Sequence, residues 1–112
     1  MGAKAISGGQ SLMPMLNFRL TSPAMLVDLR RISELHGVDI KPTGTRLGAR
    51  TRWCDIEKSS ALAAAQPLLC AAIAHVAHYQ VRNRGTVGGS IVHADPAAEM
   101  PGLAVALDAQ LR

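Results

Sequence analysis

Two glycine pairs restrict the backbone of this chain more than any other feature of its sequence. Gly8-Gly9 and Gly88-Gly89 lie 80 residues apart, and each is followed within two positions by a serine, Ser11 or Ser90. Both pairs come after short runs of β type. Glycine has no Cβ, so its backbone reaches positive φ and lets N–H groups come close to an anion. The pairs therefore predict two tight phosphate-binding loops, which together would hold one diphosphate-bearing ligand.

The first pair has a strand before it and a helix after it. Residues 4–7 are short and apolar-weighted, and Ser11 is suited to cap a helix over the apolar residues that follow. Strand, turn and helix N-terminus in this order would point unpaired N–H groups at one phosphate. An ordinary βα turn explains the same residues equally well. A second buried strand over 25–29 completes a predicted parallel βαβ unit.

The remaining elements are read from periodicity and turn residues. Weak alternation on both sides of the turn 42–44 predicts a β-hairpin over 38–49. Helical spacing predicts helices over 53–59, 67–78 and 101–109. The glycine-rich segment 80–90 is a poor strand and a poor helix, so it is predicted to be an ordered loop stabilised by a bound anion.

Composition excludes several classes of protein. The chain has 112 residues and a net charge of +4 spread along it without a basic run, which argues against nucleic-acid binding. No apolar stretch reaches the roughly 20 residues of a membrane span. Cys54 and Cys70 fit no metal-binding or redox pattern, so reduced thiols and a cytoplasmic location are expected.

Other chemistry-bearing patterns are incomplete. His75 and His78 lack the spacing and the glutamate of a zinc protease helix, and neither a nucleophile elbow nor a standard dinucleotide or P-loop motif is present. We therefore predict no metal ligand and no catalytic side chain. Arg82 and Arg84 could neutralise phosphate or pair with Asp95 and Glu99 to hold the loop in shape, and the structural role is favoured.

The segments 7–12, 80–90 and 94–101 together resemble the FAD-binding subunit of the molybdenum hydroxylases. The resemblance is greatest to the medium subunit of aerobic carbon monoxide dehydrogenase and to the xanthine dehydrogenase group. It implies an α/β (α+β) FAD-binding domain of the vanillyl-alcohol-oxidase (PCMH) type, with a small parallel βαβ subdomain and the start of a larger α+β subdomain.

The resemblance also implies which residues bind FAD. The two glycine segments would hold the diphosphate, chiefly through the amides of both pairs, and Glu99 would assist at the ribose or adenine. The complete implied set is Ser7, Gly8, Gly9, Gln10, Ser11, Leu12, Thr86, Val87, Gly88, Gly89, Ser90 and Glu99.

By the same resemblance the chain is an electron-transfer subunit of an FAD-dependent oxidoreductase. Its partners would be an iron–sulfur small subunit and a molybdenum-cofactor large subunit, and FAD would pass electrons to an external acceptor. We expect residues 1–112 to be a fragment of one FAD-binding domain, without its first strand–helix unit and its C-terminal part. Two alternatives stay open: a stand-alone flavin oxidase of the same fold, and a truncated remnant that binds no cofactor and self-associates through a sheet edge.

Overall fold

Residues 2–50 form two small sheets and one short α-helix, and the rest of the described chain forms a layer of short helices. The computed structural model describes residues 2–112. Its strands are β1 Ala3–Ile6, β2 Met25–Asp28, β3 Val38–Lys41 and β4 Gly44–Leu47. Its helices are α1 Leu12–Asn17, α2 Trp53–Glu57, α3 Ser60–Ala65, α4 Pro67–Ile73, α5 Tyr79–Arg82, α6 Val87–His93 and α7 Glu99–Ala106, and a 3₁₀ turn spans Ser33–Leu35.

Strands β1 and β2 pair in parallel with helix α1 between them, which confirms the predicted βαβ unit. Ala3 lies opposite Met25 and Ile6 lies opposite Asp28. The prediction that these strands are buried is wrong, because Leu26 is 43% exposed and Val27 is 44% exposed. A helix of only six residues cannot cover both faces of the pair.

The predicted hairpin is also present. Strands β3 and β4 pair antiparallel, from Val38 opposite Leu47 to Lys41 opposite Gly44. Gly44 has φ +151°, a conformation that favours glycine at the end of this turn.

The hydrophobic core lies in the helical layer. Every buried apolar residue of the described chain falls between Trp53 and Leu103, and Ile56, Leu62 and Ile73 are the largest fully buried apolar side chains. Helices α2, α3, α4 and α7 pack around this core, and α6 packs on α7. Val87 belongs to this core, so core packing holds the second glycine segment in place.

Several helix predictions need correction. The helix predicted over 67–78 ends at Ile73, and Ala77 adopts φ +42°, so His75 and His78 do not share a helix. The segment predicted as a glycine loop contains helix α5 and the first half of α6. Among residues 2–112, no helix is long and apolar enough to cross a membrane.

Candidate functional site

The first glycine segment forms a tight turn between β1 and α1. Gly9 has φ +73°, the left-handed conformation that the sequence predicted for this turn. The Gln10 side-chain amide donates to the Gly8 carbonyl oxygen at 3.3 Å and closes the turn. Within residues 2–112, the backbone amides of residues 8–11 donate to no acceptor. Four N–H groups are therefore available to an anion at this turn.

The second glycine segment is built differently, because it begins helix α6. Thr86 is the N-cap, and its hydroxyl oxygen accepts the Gly89 amide at 3.3 Å. The Val87 amide donates to the Thr51 carbonyl oxygen at 3.0 Å, and the Gly88 amide donates to the Ala49 carbonyl oxygen at 2.8 Å. These amides are thus already used within the fold.

This arrangement corrects the expectation that the Gly88 and Gly89 amides point at a ligand. A Cβ added at Gly88 would lie 2.7 Å from the Ala49 Cβ, so glycine is needed here for close packing. Neither residue of this pair has positive φ. That residues 86–90 belong to a cofactor site stays a prediction, with their role shifted from amide donation to support.

The two glycine segments meet in space, as predicted from their composition. The Thr86 hydroxyl donates to the Ser7 hydroxyl oxygen at 3.1 Å. Gly8 packs against the backbone of Arg84, two residues before Thr86. A Cβ added at Gly8 would lie 2.8 Å from the Arg84 carbonyl carbon and closer still to its oxygen. Thr86 is only 6% exposed, so one partner of this hydrogen bond is buried in the fold.

An open cleft of about 890 Å³ begins at this junction. Ser7, Gly8, Asn83 and Thr86 all line it. Its remaining lining residues are strongly basic: Arg30, Arg31, Arg50, Arg52, Arg84 and His36, together with Ser33. Sequence analysis missed this basic lining, apart from Arg84, because the arginines are scattered along the chain and only the fold collects them.

Two carboxylates beside the cleft hold part of its positive charge. Asp28 pairs with Arg30 at 2.6 Å, and hydrogen bonds from Arg30 lower the pKa of Asp28. Asp55 pairs with Arg52 at 3.0 Å and lies 3.3 Å from the imidazole of His36. Burial opposes the ionisation of Asp55, but hydrogen bonds from Arg52 and His36 outweigh it and lower its pKa to about 2. Both carboxylates are therefore ionised at neutral pH.

The other predicted site residues lie farther from the cleft. Ser11 is exposed at the N-cap of α1 without a side-chain cap bond, and Leu12 is the first residue of that helix. Glu99 is exposed at the start of α7, outside the cleft lining, so its predicted contact with ribose or adenine stays a prediction.

The two arginines singled out from the sequence differ in their surroundings. Arg82 bonds Glu57 at 3.4 Å and the Val76 carbonyl oxygen at 3.1 Å, which makes it structural, although its partner is not the expected one. Arg84 lines the cleft instead. Among residues 2–112, no group of three His, Cys, Asp or Glu side chains is placed to hold a metal ion.

Comparison with known proteins identifies the family. Residues 1–112 match the family described as the FAD binding domain in molybdopterin dehydrogenase. The chain is 47% identical over 107 residues to the 6-hydroxypseudooxynicotine dehydrogenase complex subunit alpha of Paenarthrobacter nicotinovorans, and 42% identical over 106 residues to the caffeine dehydrogenase subunit beta of Pseudomonas sp. strain CBB1. These alignments cover 96% and 95% of the chain but only 36% of each relative.

Solved structures give the same result. Carbon monoxide dehydrogenase from Hydrogenophaga pseudoflava superposes with a TM-score of 0.90 at 42% identity, covering 93% of this chain and 36% of that one. Quinoline 2-oxidoreductase from Pseudomonas putida 86 superposes with a TM-score of 0.87 at 48% identity, covering 90% of this chain and 35% of that one. This chain therefore belongs to the family of FAD-binding domains found in molybdopterin dehydrogenases, and FAD is the cofactor of that family.

Proposed function

We propose that this chain supplies the diphosphate-binding half of an FAD site in the electron-transfer subunit of a molybdenum-hydroxylase-type dehydrogenase. The observation that carries the proposal is the junction of Ser7 with Thr86, where a turn with unused backbone amides borders an arginine-lined cleft through Gly8.

The residues present fit such a cofactor. Free amides at residues 8–11 suit the phosphate oxygens of a dinucleotide, and Gly9 provides the conformation that exposes them. The cleft volume of about 890 Å³ lies within the range of roughly 300–1,000 Å³ usual for cofactor and ligand sites. Its basic lining suits a ligand with two negative charges.

Within this site the chain's own groups would bind and orient. Amides of the first segment would hold the diphosphate, and Thr86 would hold Ser7, at the start of that segment, in place through their hydrogen bond. Glu99 is proposed to contact the ribose or adenine. FAD, when bound, supplies the redox chemistry of its ring system, so no side chain of this chain needs to react.

The role of the whole protein is also proposed. The relatives' names describe dehydrogenase subunits, so we infer an oxidoreductase subunit that works with an iron–sulfur subunit and a molybdenum-cofactor subunit in the cytoplasm. FAD would pass electrons from the iron–sulfur clusters to an external acceptor. The substrate would be chosen on another subunit, and residues 1–112 would be one piece of the FAD-binding domain.

Titration of the chain with FAD, followed by flavin fluorescence, tests the binding proposal. We expect saturable binding near one FAD per chain, weakened in Ser7→Ala and unchanged in Ser22→Ala, an exposed serine beyond the cleft. Colourless protein that takes up no FAD would contradict the binding proposal and favour the remnant.

Purification from the source cells tests the partners. Flavin accompanied by iron and molybdenum supports the subunit, whereas flavin alone favours a stand-alone oxidase.

A further inference from the structure

The positive charge of the cleft is more than its carboxylates neutralise. Three of its five arginines already have partners in the fold. Arg30 is paired with Asp28, and Arg52 makes hydrogen bonds of 3.1 and 3.0 Å with both oxygens of Asp55. The Arg50 guanidinium donates to the Ile32 carbonyl oxygen at 3.2 Å. The side chains of these three arginines are therefore held by contacts within the protein.

Arg31 and Arg84 are the two that remain. In the part of the chain that the structure describes, neither side chain makes a salt bridge or a hydrogen bond. Both are exposed and both line the cleft. An anion that enters the cleft could therefore pair with either guanidinium without displacing a side-chain partner within residues 2–112.

The two arginines come from different parts of the fold. Arg31 lies three residues beyond the end of β2, next to the βαβ unit. Arg84 lies in the second segment, between α5 and the Thr86 cap, where its carbonyl group packs against Gly8. An anion bound by both arginines would therefore bridge these two parts of the fold.

We propose that Arg31 and Arg84 form a clamp that makes this cleft select a diphosphate over a monophosphate or a bare nucleoside. The proposal rests on the proposed function, since the diphosphate is taken to be that of FAD. The diphosphate bridge of FAD carries two negative charges on adjacent phosphorus centres, which matches two unpaired guanidinium groups in number. Each planar guanidinium can donate two parallel hydrogen bonds to a phosphate. A single phosphate offers only one such centre.

The clamp is tested by calorimetric titration of the chain with ADP, AMP and adenosine. We expect ADP to bind more tightly than AMP, and each of Arg31→Gln and Arg84→Gln to weaken ADP roughly tenfold, the usual effect of losing one hydrogen-bonded charge pair. Adenosine affinity should not change. Arg46→Gln is the matched control, because Arg46 is exposed on β4, outside the cleft lining, and makes no salt bridge within residues 2–112.

Circular dichroism verifies that each variant is folded, and Arg84→Lys, which keeps the charge, should recover part of the lost affinity. If Arg84→Gln does not fold, Arg31→Gln tests the clamp by itself. The clamp is overturned if Arg31→Gln and Arg84→Gln both prefer ADP over AMP by the same factor as Arg46→Gln does.

Parallel FAD titrations separate the two proposals. A chain that binds neither FAD nor ADP overturns the proposed function and the clamp with it, whereas FAD binding with unaffected variants overturns the clamp alone.

Discussion

Replacing Gly8 with alanine should push the two glycine segments apart. The new Cβ would lie 2.8 Å from the Arg84 carbonyl carbon and 3.1 Å from the Gly85 Cα, both of them backbone atoms that cannot rotate away. An ordinary separation of 3.4 Å from that carbonyl carbon requires the backbone to retreat by at least about 0.6 Å (3.4 minus 2.8), and the Arg84 carbonyl oxygen, which is closer still, requires more.

The magnitudes decide how the protein responds. Keeping the segments together would cost the strain of overpacking, about 1–3 kcal/mol. Letting them separate would cost chiefly the hydrogen bond between Ser7 and Thr86, about 0.5–1.5 kcal/mol. Separation is the less costly response. FAD binding would then have to restore the strained contact, so its affinity should fall by the difference between these two costs, about 1 kcal/mol at their midpoints, or roughly fivefold.

Two measurements test this prediction. Flavin fluorescence gives the FAD affinity, and urea unfolding followed by Trp53, the single tryptophan and 3% exposed, gives the stability of the helical layer. Gly8→Ala should lose FAD affinity while its unfolding free energy falls by no more than about 1.5 kcal/mol, the cost of the lost hydrogen bond. Gly102→Ala is the matched control, because a Cβ there meets nothing within 4 Å. Affinity within twofold of the unmodified chain, or a loss of more than about 2 kcal/mol of stability, would refute the reasoning.

Three further predictions concern stability in the same urea assay. Thr86→Val removes the hydroxyl that binds Ser7 and caps α6, so we expect a loss of about 1–2 kcal/mol that Thr86→Ser largely avoids. Gly88→Val places a Cβ 2.7 Å from that of Ala49, and should cost about 1–3 kcal/mol by overpacking. Asp55 has a folded pKa of about 2, below its ordinary 3.8, so it stabilises the fold above about pH 4. That contribution, about 1–2 kcal/mol after solvent screening, should be lost as the pH falls from 4 to 2.

Two of these three predictions have a matched control in the chain. Thr43→Val alters an exposed turn threonine, and Asp39→Asn removes a carboxylate that bonds only the exposed Lys41 at 2.9 Å. Asp55→Asn should flatten the acid dependence, whereas Asp39→Asn should not. Equal losses in Thr86→Val and Thr43→Val would show that the Thr86 hydroxyl contributes nothing. If Gly88→Val is as stable as the unmodified chain, the backbone at Ala49 can move away from the added side chain without cost.

Local signals were sufficient where the sequence predicted correctly. The βαβ unit follows from a strand, a glycine turn and an apolar helical segment in direct succession, and the hairpin follows from the turn residues 42–44. The left-handed Gly9 was predictable because a turn of this kind needs positive φ there. The resemblance of three motifs to one family carried the cofactor assignment, which the family match confirms.

Tertiary contacts decided the features that were missed. Gly88-Gly89 disfavours a helix by intrinsic propensity, yet α6 forms because the Gly88 amide bonds Ala49 and Val87 enters the core. Helix α4 ends at Ile73 and Ala77 adopts positive φ, and the sequence gives no turn signal for either feature. The basic cleft was invisible because its arginines are as much as 54 positions apart, from Arg30 to Arg84.

The slender connection between the βαβ unit and the helical layer has a consequence for how the chain melts. The named links are the Ser7–Thr86 hydrogen bond and the Gly8–Arg84 contact, while the buried apolar residues all belong to the helical layer. A calorimetric scan of the free protein should therefore show two overlapping transitions, with a van't Hoff enthalpy below the calorimetric one. A nucleotide that bridges both parts would merge them into a single cooperative transition at higher temperature.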